Sequence, residues 1–142
     1  MVDAWHGIPA GAGPVELPAP QRRSLLYGPA GTVDEEVVDA ARKSVAPLPL
    51  TEMLEIVDGW PAEHRRVASE VVVPVHYTLA EHDGLWVVDE ERLADFARAF
   101  SSAPWVTARI QRGAGHNLDH HRLSRAFHLG QLAFAAECVA RR

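Results

Sequence analysis

Apolar and polar positions along the chain follow three successive patterns. Residues 1–31 carry turn-favouring segments such as Gly11-Ala-Gly-Pro14 and Gly28-Pro-Ala-Gly31 and no sustained period, which predicts a long loop. Over residues 32–70 the spacing turns helical. Thr32-Val-Asp-Glu35 has capping-box form, Val33, Val37, Val38, Ala41 and Val45 recur on one side, and Pro47 stops the pattern. A short helix is expected after Thr51, with Met53, Leu54 and Val57 inward and Gly59 at its end, and Pro61 at a first helical position opens a third helix to about Ser69. Over residues 71–142 the pattern changes again. Val71 to Leu79 is a β-branched and aromatic run with little alternation, as in a strand buried on both faces. Asp89 then caps a helix with Leu93, Phe96, Ala97 and Phe100 on one face. Trp105 to Ile110 reads as a second strand, followed by a glycine turn and a last helix with Leu123, Phe127, Gly130 and Phe134 on one stripe. Strand, helix, strand, helix in that order predicts an α/β fold with a parallel sheet and crossover helices.

Composition narrows the setting. A chain of 142 residues with 47% apolar side chains has the length of one domain and enough apolar character to build a core. Its net charge of −5 offers no general attraction for a phosphate backbone or an anionic membrane, so nucleic acid and membrane are not expected partners. The apolar run at Val71–Val75 falls far short of the roughly 20 residues that cross a bilayer. The one cysteine, Cys138, excludes an internal disulfide framework and fits a small core residue. The first residues lack both the basic start and the apolar centre of a secretory signal, which points to the cytoplasm.

The candidate chemistry lies where parallel sheets gather it, at the carboxyl ends of the strands. Two segments fall there: Leu79-Ala-Glu-His-Asp-Gly-Leu-Trp86 and Arg112-Gly-Ala-Gly-His-Asn-Leu-Asp119. Adjacent parallel strands would bring Asp83 beside His116, where a carboxylate holds an imidazole in one tautomer and stabilises it once protonated. Gly113 and Gly115 permit the sharp turn that presents the ring. Taken alone, Asp83 before a glycine is a turn residue and His116 an exposed loop histidine; the pair carries the argument.

At these residues the chain resembles the carboxyl-terminal part of α/β-hydrolase-fold enzymes. The stretch Val73-Pro-Val-His-Tyr-Thr-Leu-Ala-Glu-His-Asp-Gly-Leu-Trp86, an amphipathic helix, a strand and Gly113-Ala-Gly-His-Asn117 have the family's order and spacing. The resemblance implies Asp83 as triad acid, His116 as triad base, residues 32–70 as a lid-like segment, and Val2 to Gly7 as the end of a preceding core strand. It implies ester or thioester hydrolysis without a cofactor, and the apolar residues of the lid-like segment point to a small hydrophobic acyl or natural-product substrate. Trp5, His6, Trp86 and Asn117 are then candidate substrate contacts, although packing beneath a loop accounts equally for the first three. The family's Gly-x-Ser-x-Gly nucleophile is missing: no serine here has glycines at both flanking positions. The chain therefore reads as the lid and second half of such an enzyme, expected to be inactive in isolation. Missing strands would leave open edges, so a homodimer or a complementary hydrolase half is an expected partner.

The sequence leaves two further readings open. A non-catalytic half-fold would bind a ligand or a protein and keep the loop residues as relics. His116, Asp119, His120 and His121 supply metal-ligand types, but neighbouring histidines rarely converge on one ion and Asp119 suits the cap of the last helix, so no metal is expected. Glu81 and His82, adjacent to Asp83, are expected to be solvated.

Overall fold

A computed structural model describes residues 13–141. Four helices come first: α1 (Ala19–Tyr27), α2 (Glu35–Arg42), α3 (Leu50–Leu54) and α4 (Trp60–Ser69). They lead into β1 (Val75–His82), α5 (Glu90–Ala99), β2 (Val106–Gly115) and α6 (Ser124–Ala140). Among the described residues β1 and β2 form a two-stranded parallel sheet joined through α5, so the chain has the expected mixed α/β character.

Each sheet face carries one helix. On β1 the neighbouring side chains His76 and Tyr77 point to opposite faces. His76 stacks on Phe134 of α6 at 5.3 Å, and Tyr77 stacks on Phe96 of α5 at 4.1 Å. α5 starts where expected, with the Asp89 carboxylate accepting from the Arg92 amide at 2.7 Å. The helical segment before the sheet docks on the α5 side: His64 stacks on Phe96 at 6.2 Å, and Arg65 pairs with Asp95.

Several local expectations are corrected. The segment read as a loop through residue 31 contains α1, whose Pro18 cap and Pro20 in the first turn start a helix that local polarity hides. Its Leu25 and Tyr27 are buried, and Tyr27 forms a core cluster with Val33 and Val38. Thr32 does not cap the next helix: its hydroxyl donates to the Tyr27 and Pro29 carbonyls, Val33 bridges to His121, and α2 begins at Glu35. Gly59 ends no helix, because a π-helical turn over Glu55–Gly59 fuses α3 to α4. The first strand begins at Val75 rather than Val71. Val72 and Val73 are 70% and 58% exposed, and Pro74 cannot donate to a ladder. With two strands and one helix per face, the strand is half-buried, and only Ala80 within it is fully enclosed. The second strand runs on through the expected glycine turn to Gly115.

Candidate active site

The strand register places the dyad. Val75 pairs with Val106 and Ala80 with Gln111, an offset of 31 residues; beyond Ala80 the register shifts, and His82 pairs with Gly115 at an offset of 33. Arg112, Gly113 and Ala114 therefore bulge against Glu81 alone. The new offset is the one that separates Asp83 from His116, so the bulge aligns the carboxylate with the imidazole just past the strand ends. Gly113 takes a φ of 73° at the apex, the left-handed region a glycine adopts without strain. Glu81 fastens this bulge: its carboxylate accepts from the Gly113 amide at 2.8 Å and from Arg112 at 2.9 Å. Those partners, the Gly113 amide first and Arg112 next, hold the Glu81 carboxyl below its ordinary range. The expectation of a merely solvated Glu81 is thereby corrected, since a strand bulge leaves amides that a carboxylate of this reach satisfies.

His116 Nδ1 lies 2.8 Å from Asp83 Oδ2. An ionised carboxylate only accepts, so the imidazole donates from Nδ1 and keeps Nε2 as its basic nitrogen. The Asp83 side chain is 5% exposed against 33% for His116, which places the carboxylate behind the imidazole. The second Asp83 oxygen accepts from the amides of Leu85 and Trp86 at 2.8 and 3.2 Å, fixing the carboxylate in a tight turn. Asp83 thus holds its turn and orients His116 with different oxygens. Its charge is also felt within the sheet: burial first, and then Asp83, raises the Tyr77 hydroxyl above the usual tyrosine range.

The end of α1 lies across both loops. The Gly84 amide donates to the Leu25 carbonyl at 3.1 Å, and the Asn117 amide to the Leu26 carbonyl at 2.9 Å. A Cβ on Gly84 would lie 2.5 Å from the Leu25 Cα, and one on Gly115 would lie 2.5 Å from the Tyr27 carbonyl carbon. No room exists for a side chain at either glycine. Sequence reading missed α1 as a wall of the site; the glycines immediately after Asp83 and before His116 were the available signal.

The remaining candidates are distributed as follows. Trp86 lines a groove of about 430 Å³ with Trp60, His64, Tyr77 and Phe96, between the helical segment and the sheet. Asn117 lines a different cleft, between α1 and α2. Trp5 and His6, with the expected strand end at Val2 to Gly7, lie outside the described residues. His116, Asp119, His120 and His121 do not converge. His120 contacts the Tyr27 hydroxyl at 3.3 Å, His121 accepts from the Gly115 amide at 2.9 Å, and Asp119 pairs with His128 instead of capping α6. Among the described residues no group of three acidic, histidine or cysteine side chains is placed to hold a metal ion. None of the six serines is hydrogen-bonded to His116 among those residues. No described helix is long and apolar enough to cross a membrane.

Comparison of the chain with protein-family models, with curated proteins and with solved structures finds no match.

Proposed function

We propose that the chain supplies the acid and base of an α/β-hydrolase-type triad, acting on a small hydrophobic ester or thioester with a nucleophile from outside this sequence. The observation that carries the reading is the Asp83–His116 hydrogen bond, formed at the carboxyl ends of two parallel strands by residues 33 positions apart. His116 Nε2 takes the proton of a hydroxyl or water as its oxygen forms a bond to the acyl carbon, while Asp83 stabilises the imidazolium. The same nitrogen then returns that proton to the departing alcohol or thiol as the acyl bond breaks. The apolar groove beside Trp86 is the substrate surface in this reading.

The test is acyl transfer from p-nitrophenyl butyrate to added methanol. Chain alone should hydrolyse the ester near the background rate, and added methanol should yield methyl butyrate faster with the native chain than with His116→Ala. Equal rates for the two proteins would overturn the reading. The lack of any serine on His116 favours one alternative, a non-catalytic half-fold that binds a ligand or a complementary partner; it requires that His116→Ala leave binding unchanged.

A further inference from the structure

A second cleft, separate from the groove beside Trp86, opens between α1 and α2 with a volume of about 470 Å³. Its wall combines Leu26, Val37, Val38 and Val45 with the guanidinium groups of Arg22, Arg23 and Arg42. No carboxylate lines it among the described residues, in a chain whose net charge is −5. Each of these cations has one carboxylate near it, outside the cleft wall. Glu16 stands 3.9 Å from Arg22 Nη1, beyond hydrogen-bond range, Glu35 takes Arg23 Nη2 at 2.7 Å, and Asp39 pairs with Arg42 at 3.2 Å. Arg22 and Arg23 each keep Nη1 buried without a hydrogen-bond partner. Buried donors on a cation are costly to leave unmet, and an anionic oxygen is the group that satisfies them best. Their side chains are only 15% and 24% exposed, and a rotation of either guanidinium toward the cleft brings its Nη1 to a bound anion.

We propose that this cleft binds an amphipathic anion, an aliphatic chain ending in a carboxylate or a phosphate. The chain lies along the valines of α2 and the anionic head meets Arg22 and Arg23. The Asn117 carboxamide and the His120 ring, which also line the cleft, add polar contacts for the head. The site stands on this wall alone and does not require that the Asp83–His116 pair be catalytic.

Calorimetric titration of the full chain with dodecanoate, dodecyl phosphate and dodecanol tests the site. A charge-assisted contact predicts dodecanoate or dodecyl phosphate at least about tenfold tighter than dodecanol, and the tighter of the two identifies the head group. Arg22→Gln and Arg23→Gln should each remove most of that preference. Val45→Glu, at an exposed position of the wall, places a negative charge at the cleft without replacing either arginine and should weaken the anions by more than it weakens dodecanol. Equal affinity for the alcohol and both anions, or anion affinity unchanged in a folded arginine variant and in Val45→Glu, would overturn the proposal.

Discussion

The Gly115 amide donates to His121 Nε2 at 2.9 Å, so the ring next to the dyad loop is a neutral imidazole carrying its proton on Nδ1. Protonating Nε2 would set two N–H groups against each other. Burial is the main cause holding the His121 pKa below its ordinary 6.5, with the Tyr27 backbone acting the other way and His120 and His82 adding to the depression. His76 is lowered as well, by burial and then by Arg109.

A pH dependence of stability is the first expectation. A histidine depressed in the fold stays neutral there while the unfolded chain gains a proton, so stability is complete above pH 6.5 and falls as the pH drops below it. Urea unfolding at pH 7.5 and 5.5 should show the loss. His121→Gln, whose amide oxygen can still accept from Gly115, should reduce the acid loss and leave the part owed to His76. A variant as acid-sensitive as the native chain would refute the assignment to His121.

Asp83→Asn separates orientation from folding. Asparagine keeps one oxygen for the Leu85 and Trp86 amides, but its amide group is a donor toward His116 Nδ1 and favours the opposite tautomer. Ring-nitrogen NMR should report Nδ1–H in the native chain and Nε2–H in the variant, with the midpoint of unfolding little changed. Asp83→Ala should lose both the tautomer preference and stability. An unchanged ring spectrum in Asp83→Asn would count against the hydrogen bond.

The backbone contact of α1 on the dyad loops gives a steric prediction. Gly84→Ala and Gly115→Ala each force a Cβ to within 2.5 Å of backbone atoms, which cannot yield as a flexible side chain would. Each should destabilise by about 1–3 kcal/mol. Gly13→Ala, with nothing within 4 Å, is the control and should be close to neutral. Denaturant midpoints compare the three.

The last helix leaves large apolar side chains exposed. Leu129, Leu132 and Val139 of α6 are between 57% and 67% exposed. Such a face favours association. Sedimentation velocity should show a weight that rises with concentration, and Leu132→Lys with Val139→Lys should suppress the rise. A native chain that stays monomeric at high concentration would remove the expectation.

What was legible in the sequence followed period and punctuation. Asp89 as a cap, Phe96 on the inner face of α5 and Phe134 on the inner stripe of α6 depend on local spacing, and all three occupy those places. The proximity of Asp83 and His116 was legible because two parallel strands joined by one helix bring their ends together. The rest required tertiary facts. α1 lacks an apolar stripe, and its burial comes from Leu25 and Tyr27 at one end meeting glycines some 60 to 90 residues later. Thr32 has a capping sequence, yet the carbonyls at the end of α1 compete successfully for its hydroxyl. Glu81 looked like surface charge because the strand bulge that it satisfies has no local signature.

The three residues that oppose Glu81 act as a spacer measured in whole pleats. Because the offset moves from 31 to 33, by an even number, every later side chain keeps its face of the sheet while sliding two positions along it. The site is thereby sensitive to length before it is sensitive to identity. Removing one residue from the bulge would make the shift odd and turn His116 to the face opposite Asp83, whereas removing two would restore the offset of 31 throughout and keep the pair aligned, as would exchanging Arg112 for another polar residue.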